Sequence, residues 1–281
     1  FETGYDGATS TAGAQVNSVD TSKIIIKPNV YSWRNITVGN IFKNSYDYKR
    51  DLDSHMMKNT EWGAVAYLQH SKYGSMTSVR INNNSSYITG YAATEEPTLG
   101  YAGGTSTAGN RIESTVLGVD ATYSVNYLNS KSLVASTTNN YSGIYDMSGG
   151  AWEYIMGYTT GATTVGGTSG ITSLYPNFFS DSAYSKYWDK YTSTERTDYN
   201  NRILGDATGE MGPFGSEQDP DGTTRNKSSW HKDYALFANS SGAWFLHGGR
   251  WNYGNTSGIF AFSDASGGMG VNASYRIVLA P

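Results

Sequence analysis

Two apolar, strand-like runs close the chain, and the segment between them has the wrong composition for a protein core. The first run covers residues 244–251 and the second covers residues 274–279. Between them Asp264 is the only charged residue, and aromatic residues stand among Gly, Ser and Asn. Rigid aromatic rings beside small polar residues are typical of binding surfaces. On composition alone the segment fits an ordinary surface loop between half-buried strands as well as a binding surface, and both interpretations stay open at this point.

The composition of the 281 residues excludes several classes of protein. Charged residues make up only 16%, below the usual fraction of roughly a quarter, which favours an ordered fold of short strands and loops. The net charge is −4 and no cluster of Lys or Arg occurs, so nucleic acid is not an expected partner. With no cysteine, a disulfide framework, a thiolate nucleophile and a cysteine-based metal site are excluded.

One domain is predicted to follow a loose arm. Residues 1–20 are rich in Gly, Ala, Thr and Ser without periodicity, which favours a flexible arm or linker, and residues 21–281 are assigned to a single domain. No apolar run reaches the roughly 18 residues of a membrane-spanning helix. We expect any attachment to a membrane or virion to be made through a part of the protein outside this chain.

Hydrophobic periodicity predicts two helices, over residues 60–68 and 182–194. In the first helix, Thr60 suits the N-cap position. Its apolar stripe is predicted to consist of Trp62, Val65, Ala66 and Leu68. Strands are predicted over residues 24–26, 242–247, 258–263 and 274–280. Short strands and long loops are expected over residues 75–142, and an extended loop is expected over residues 205–232.

Four motifs carry a resemblance to a known family. Residues 143–154 read G-I-Y-D-M-S-G-G-A-W-E-Y. This closely resembles the G-L-Y-D-M-x-G-N-V-W-E-W signature of the formylglycine-generating-enzyme (sulfatase-modifying factor) branch of the C-type lectin fold. Residues 247–251 resemble that family's R-G-G-S-W, and Tyr275-Arg276 stands where its closing G-F-R would fall. Residues 59–67 resemble its V-S-W-x-D-A-x-A-Y helix. The resemblance implies an α+β, C-type lectin fold with two helices, short antiparallel strands and long loops.

The motifs also have physical readings of their own. The pair Gly149-Gly150 suits a tight turn into a strand, and Gly248-Gly249 leaves room for another backbone to pass. Trp152 is expected to be buried. Arg276, beside an apolar strand, is expected to hold Glu153 or Asp146 in a buried bidentate pair.

Departures from the family restrict the chemistry. The oxidase activity of the family works through cysteine and copper, so a chain without cysteine is excluded from it. Gly150 replaces the Asn of the signature, in a segment that helps the enzymes to hold calcium. Glu153 remains, but a calcium ion takes six to eight oxygen ligands. Whether a metal binds is therefore left open, and no cofactor is assigned.

The same branch of the fold includes the variable proteins of diversity-generating retroelements, which are not enzymes. In these proteins mutagenesis rewrites codons near the C-terminus, between R-G-G-like and G-F-R-like segments. The resemblance places a variable-region-like segment at residues 247–276. It implies a display module, diversified by a retroelement, whose surface at about residues 250–274 binds a protein or glycan receptor on another cell or particle. The implied setting is extracellular: a bacterial cell surface, a pilus-like appendage or a phage tail.

Strand alternation assigns the side chains of this segment to two faces. Phe260 and Phe262 are predicted to face the core, while Trp251 and Tyr253 are predicted to be exposed anchors of binding. The full set of predicted ligand-binding residues is Arg250, Trp251, Tyr253, Asn255, Ser263, Asp264, Ser266, Met269, Val271, Asn272 and Ser274.

No residue is assigned to catalysis. The histidines are scattered without metal-ligand spacing, and His247 is expected to fill a hydrogen-bonding role. Two alternatives stay open beside the display module. One is a relative of the enzyme family with hydrolytic or carbohydrate-binding activity, and the other is a structural appendage or capsid domain. The display hypothesis predicts that Trp251, Tyr253, Asp264 and Met269 are exposed on one face.

Overall fold

The computed structural model is of the α+β class, as predicted, and the residues that it describes form four α-helices and several small sheets. Two of its helices are long: α1, Val38–Tyr48, and α2, Asn59–His70. Two are single turns: α3, Gly166–Ser169, and α4, Ile171–Leu174. The structure describes residues 1–28, 30–74, 92, 136–138, 143–163, 166–192, 217–218, 224–225, 233–253 and 257–281. Outside these ranges lie the short strands predicted for residues 75–91 and 93–135, most of the predicted loop 205–232, and Asn255.

Strand β4 is the centre of the main sheet. The strands in chain order are β1 Gly4–Tyr5, β2 Ile24–Ile25, β3 His55–Met56, β4 Trp152–Thr159, β5 Asp189–Tyr191, β6 Glu217–Gln218, β7 Thr224–Arg225, β8 Trp244–His247, β9 Phe262–Ala265, β10 Ala273–Tyr275 and β11 Ile277–Val278. The main sheet has the order β10-β4-β8-β9, and β5 also pairs with β4. Three two-stranded ladders join β1 to β2, β11 to β3 and β6 to β7.

The main sheet is mixed, which corrects the prediction of antiparallel strands alone. Strand β4 runs antiparallel to β8 but parallel to both β10 and β5. The closing strands also differ in their bounds. The predicted strand over 242–247 is found as β8, the one over 258–263 is shifted to β9, and the one over 274–280 is divided between β10 and β11.

Both faces of β4 are buried, and all eight of its residues are buried. Because side chains alternate along a strand, Trp152 and Tyr154 face one core and Ile155 faces another. The first core also contains helix α1, and the second contains Trp62 of helix α2. Phe260 and Phe262 are buried as predicted, and so is Trp152.

Helix α1 was not predicted, although its sequence carries the signals for a helix. The hydroxyl oxygen of Thr37 accepts a hydrogen bond from the Asn40 backbone N–H, which caps the N-terminus. Its buried face then follows the helical period at Val38, Ile41, Phe42 and Ser45.

Helix α2 confirms the first predicted helix and extends it at both ends. Its N-cap is Lys58 rather than Thr60, and the Glu61 carboxylate accepts a hydrogen bond from the Lys58 backbone N–H at 2.8 Å. Thr60 lies inside the first turn, where its N–H and hydroxyl both donate to Asp189. Trp62 and Ala66 are buried as predicted, but Leu68 is exposed.

The second predicted helix, over residues 182–194, is wrong. Residues 185–187 form one 3-10 turn, and strand β5 follows at once and pairs with β4. The aromatic residues that suggested a helical stripe pack in different directions. Tyr184 lies against Phe178, while Tyr191 lies against Phe245.

The predicted loose arm, residues 1–20, packs against the domain instead. Strand β1 pairs with β2, and Glu2, Thr3 and Ala14 are buried. The backbone N–H of Thr3 donates to the carbonyl of Tyr275, so the arm adds to the edge of β10. Its Gly- and Ser-rich composition lacks an apolar period because main-chain contacts, rather than an apolar face, hold most of it.

Candidate functional site

An ion pair in the interior fixes the closing strands, as predicted. Arg276 Nε and Nη2 donate to the two carboxylate oxygens of Glu153 at 2.9 and 2.6 Å. The same guanidinium donates to the backbone carbonyls of Tyr145 and Asp146 at 2.9 and 3.0 Å. Four of the five N–H donors of this buried guanidinium are therefore used. The pair ties the closing Tyr275-Arg276 motif to residues 143–154.

The two glycine pairs of the motifs lie against each other. The backbone N–H of Gly149 donates to the carbonyl of Gly248 at 2.9 Å. Gly249 has a φ of +75°, and a Cβ there would lie 2.4 Å from the Cα of Ser257, so another backbone passes close to it as predicted. Gly150 has a φ of +73°, and a Cβ there would lie 2.6 Å from a carboxylate oxygen of Glu2. A side chain such as Asn at this position would be strained by the positive φ and would require the Glu2 carboxylate to move.

The C-terminal segment presents three large apolar side chains to solvent. Trp251, Met269 and Val271 are 41%, 59% and 50% exposed, and all three were predicted as binding residues. Of the other predicted residues that the structure describes, all except Tyr253 and Ser274 are partly buried. The partly buried set is Arg250, Ser263, Asp264, Ser266 and Asn272.

Tyr253 is buried rather than exposed, which corrects its prediction as an anchor. Its ring packs edge-on against Trp152 and Tyr234, with centroids 5.8 and 5.6 Å apart. The guanidinium of Arg250 covers the same ring at 4.4 Å. Residues 251–253 form a turn in which the N–H of Tyr253 donates to the carbonyl of Arg250, so the alternation assumed for a strand does not apply.

Ser274 is the second correction, since it is fully buried. It lies in β10 opposite Glu153, between β4 and the N-terminal segment, and its hydroxyl donates to the carbonyl of Thr3 at 3.4 Å. Asp264 is only half-buried, and its carboxylate lies directly over Gly242.

A groove of about 420 Å³ opens beside the exposed part of this segment. Its first wall belongs to the C-terminal segment and contains Trp251, Val271 and Asn272. The floor includes Gly150 and Ala151 at the start of β4. The opposite wall comes from the first part of the chain, and its residues are Thr11, Gln15, Tyr31, Ser32 and Arg34.

The second wall was missed because residues 1–20 were predicted to be a loose arm. Arg34 pairs with Gln15 through backbone contacts, which brings residues 11–15 beside residues 31–34. Arg34 then joins the two walls. Its Nη1 donates to the carbonyl of Val271 at 2.6 Å, and its Nη2 donates to the carbonyl of Thr11 at 2.9 Å.

His247 has the predicted hydrogen-bonding role. Its ring stacks on Trp62, with Nε2 2.8 Å from Asn59 Oδ1 and Nδ1 3.1 Å from the carbonyl of Ala261. Burial lowers the pKa of His247 to about 3, so the ring is neutral around pH 7 and its single N–H donates to one of these two oxygens. The second described histidine ring, His55, lies 2.8 Å from a carboxylate oxygen of Glu61 at the base of helix α2.

The surroundings of Glu153 do not fit the role of a calcium ligand. Both carboxylate oxygens of Glu153, a residue that also occurs in the signature that residues 143–154 resemble, accept hydrogen bonds from Arg276. Within the described ranges, no group of three or more His, Asp and Glu side chains is placed to hold a metal ion.

Glu2 is buried beside two other carboxylates, those of Asp146 and Glu153. Its backbone N–H donates to Asp146 at 3.2 Å, and one of its carboxylate oxygens accepts from the Ala151 N–H at 3.4 Å. Burial, and then the charges of Glu153 and Asp146, raise the pKa of Glu2 well above its ordinary value.

Comparison with protein-family models and with curated proteins finds no match for this chain. Among the helices that the structure describes, none is long and apolar enough to cross a membrane.

Proposed function

We propose that the protein is a non-enzymatic display module of the C-type lectin type, whose C-terminal surface binds a protein or glycan receptor on another cell or particle. The observation that carries this proposal is the exposure of Trp251, Met269 and Val271 within one short segment. Single exposed apolar residues are ordinary on protein surfaces. Three large ones in a stretch of mostly small residues, two of them beside a groove, favour a binding surface.

The frame of this surface is held by the main chain. The N–H of Trp251 donates to the carbonyl of Gly150, and the N–H of Asn35 donates to the carbonyl of Gly270, at 2.8 and 2.9 Å. On the other side of the segment, the carbonyl of Asn272 accepts from the Trp152 N–H at 2.9 Å. Main-chain bonds do not depend on the identity of the exposed side chains. Such a frame tolerates substitution at residues 251, 269 and 271, which supports a surface diversified by a retroelement.

The buried residues of the segment support the same interpretation, in which some side chains hold the segment in the domain and others bind the receptor. Tyr253 and Ser274 pack into the domain, whereas Trp251 and Met269 face solvent. Together with the sequence motifs, this favours the setting of the variable proteins: a bacterial surface, a pilus-like appendage or a phage tail. We propose an extracellular location on this ground.

The binding proposal is tested with the fluorescently tagged protein on fixed bacterial cells and cultured animal cells, read by flow cytometry. The site variant carries Trp251→Ser, Met269→Ser and Val271→Ser. The control variant carries Leu68→Ser, Tyr73→Ser and Leu279→Ser, which are equally exposed elsewhere. We expect the site variant to lose at least about tenfold in binding, roughly 1.4 kcal/mol, while the control keeps it. Equal binding by both variants would overturn the proposal.

Diversification has its own test in the DNA. A near-duplicate of the sequence that encodes residues 247–276, beside a reverse-transcriptase gene, is the expected arrangement. Codon differences between the two copies should fall at residues 251, 269 and 271 and should spare residues 253 and 274. Differences spread evenly over both groups would contradict it.

A further inference from the structure

We infer that the groove between the two walls binds an uncharged carbohydrate, with one sugar ring lying against the exposed indole of Trp251. This inference rests on the proposed function, because it names the class of ligand that part of the same surface takes. The groove extends that surface to residues of the N-terminal segment, chiefly Gln15 and Ser32.

The charges around the groove favour a neutral ligand. Among the described residues that line it, Arg34 is the only charged one. Its Nη1 and Nη2 already bind the carbonyls of Val271 and Thr11, and only 9% of the residue is exposed. This burial leaves little of the guanidinium open to an anion. A cation would find no carboxylate in the lining.

The uncharged lining suits a ligand that carries many hydroxyl groups. Thr11 and Ser32 supply hydroxyls, and Gln15 and Asn272 supply amides. Each of these groups can both donate and accept hydrogen bonds, as a sugar hydroxyl does. An apolar ligand would leave this wall without partners when it displaced water.

The apolar part of the lining includes two aromatic rings. Trp251 and Tyr31 line the groove together with Val271. An aromatic face offers area that the C–H side of a sugar ring can cover, while the hydroxyls at its edge reach the polar groups. The volume of about 420 Å³ lies in the lower part of the range for small-molecule sites, roughly 300–1,000 Å³.

The site is also preformed, since Arg34 fixes the distance between its walls. Asn272 is held on the other side, where its Oδ1 lies 3.5 Å from the indole Nε1 of Trp251. A rigid site loses little conformational entropy on binding, which favours even a small ligand.

The test is a titration of the protein with neutral methyl glycosides and neutral oligosaccharides, followed by isothermal calorimetry and tryptophan fluorescence. Sialylated and sulfated oligosaccharides serve as charged comparisons. We expect at least one neutral compound to bind and the charged ones to bind more weakly. Trp251→Ala and Gln15→Ala should each weaken binding by at least about tenfold, while Leu279→Ala, at an exposed position outside the groove, leaves it unchanged.

The use of two variants keeps the result clear if one of them folds poorly. The inference is overturned if no neutral saccharide binds, if charged saccharides bind better, or if both groove variants bind as well as the parent. Its failure also differs from failure of the proposed function. Cell binding that the Ser site variant loses, but that no neutral saccharide inhibits, would leave the display module standing and remove the carbohydrate groove.

Discussion

Arg34 donates a hydrogen bond of 2.6 Å to the backbone carbonyl of Val271, 237 positions further along the chain. Through its second bond, to Thr11, it links the N-terminal segment to the exposed C-terminal segment. These bonds are made to main-chain atoms, so the link persists whatever side chain stands at residue 271. The exposed C-terminal segment, whose side chains can vary, is thus attached to the N-terminal wall of the groove.

Replacement of Arg34 by Met should separate the two walls of the groove. Hydrogen bonds to a charged group each contribute about 1.5–3 kcal/mol, so unfolding by urea should show a loss of this order. Amide hydrogen exchange over residues 10–16 should rise, as measured by mass spectrometry. Arg34→Lys keeps the charge and reaches one carbonyl, so its stability and its hydrogen exchange should lie between those of the parent and of Arg34→Met. Unchanged exchange in Arg34→Met would show that the bonds do not hold the wall.

The ion pair of Glu153 and Arg276 should be costly to break from either side. Glu153→Gln leaves the buried guanidinium without its carboxylate, and Arg276→Met leaves the buried carboxylate without its guanidinium. For either variant we expect a loss of about 3–5 kcal/mol in the free energy of unfolding. The double variant Glu153→Leu/Arg276→Met should recover part of this loss, because it buries no charge. A single variant that loses less than about 1 kcal/mol would contradict the account.

The crowding at Gly249 can be separated from its backbone conformation. Gly249 and Gly7 both have positive φ, at +75° and +85°, but only Gly249 lies against another backbone. Ala at either position carries the left-handed strain of roughly 1–2 kcal/mol. We expect Gly249→Ala to lose about 1–3 kcal/mol more than Gly7→Ala in chemical denaturation, from overpacking. Equal losses would show that the close approach of Ser257 has no energetic weight.

His247 should make the fold acid-sensitive. Its pKa is lowered to about 3 by burial, whereas an unfolded histidine titrates near 6.5. Below pH 6.5 this histidine therefore binds a proton in the unfolded chain, whereas the buried ring of the native protein stays neutral down to about pH 3. Stability from this group is complete above pH 6.5 and falls by up to about 1.4 kcal/mol per pH unit toward pH 3.

His247→Gln removes this titration, so its stability relative to the parent should rise as the pH falls through that window. The comparison is made at each pH by urea unfolding. Glu2, whose pKa is raised, has the opposite pH dependence, but it is present in both proteins and cancels. A constant difference between parent and variant from pH 6.5 to 3 would contradict the burial of a neutral ring.

The contacts of the motifs could be predicted because each depends on residue type and local spacing. Arg276 beside an apolar strand needed a carboxylate, and Glu153 provides it. The glycines at 248 and 249 indicated a passing backbone, and Ser257 lies there. Helix α1 could have been predicted in the same way, because Thr37 is a suitable N-cap and the apolar residues follow the helical period.

The groove could not be predicted in the same way. It joins residues 11–34 to residues 251–272 through main-chain contacts, which leave no trace in side-chain periodicity. The exposure of Tyr253 was misjudged for a related reason. Alternation describes strands, and the turn at residues 251–253 rotates Tyr253 into the aromatic cluster of Trp152 and Tyr234.

The absence of cysteine from the chain allows the most direct test of the binding surface. Val271→Cys, coupled to a polyethylene glycol maleimide, places one bulky polymer at the edge of the groove. Tyr73→Cys, treated alike, places it at an exposed position on another part of the chain. Binding to the cells selected by the parent protein is then measured by flow cytometry. The account predicts that the polymer at residue 271 abolishes binding and that the polymer at residue 73 does not, whereas undiminished binding of the protein blocked at residue 271 would contradict it.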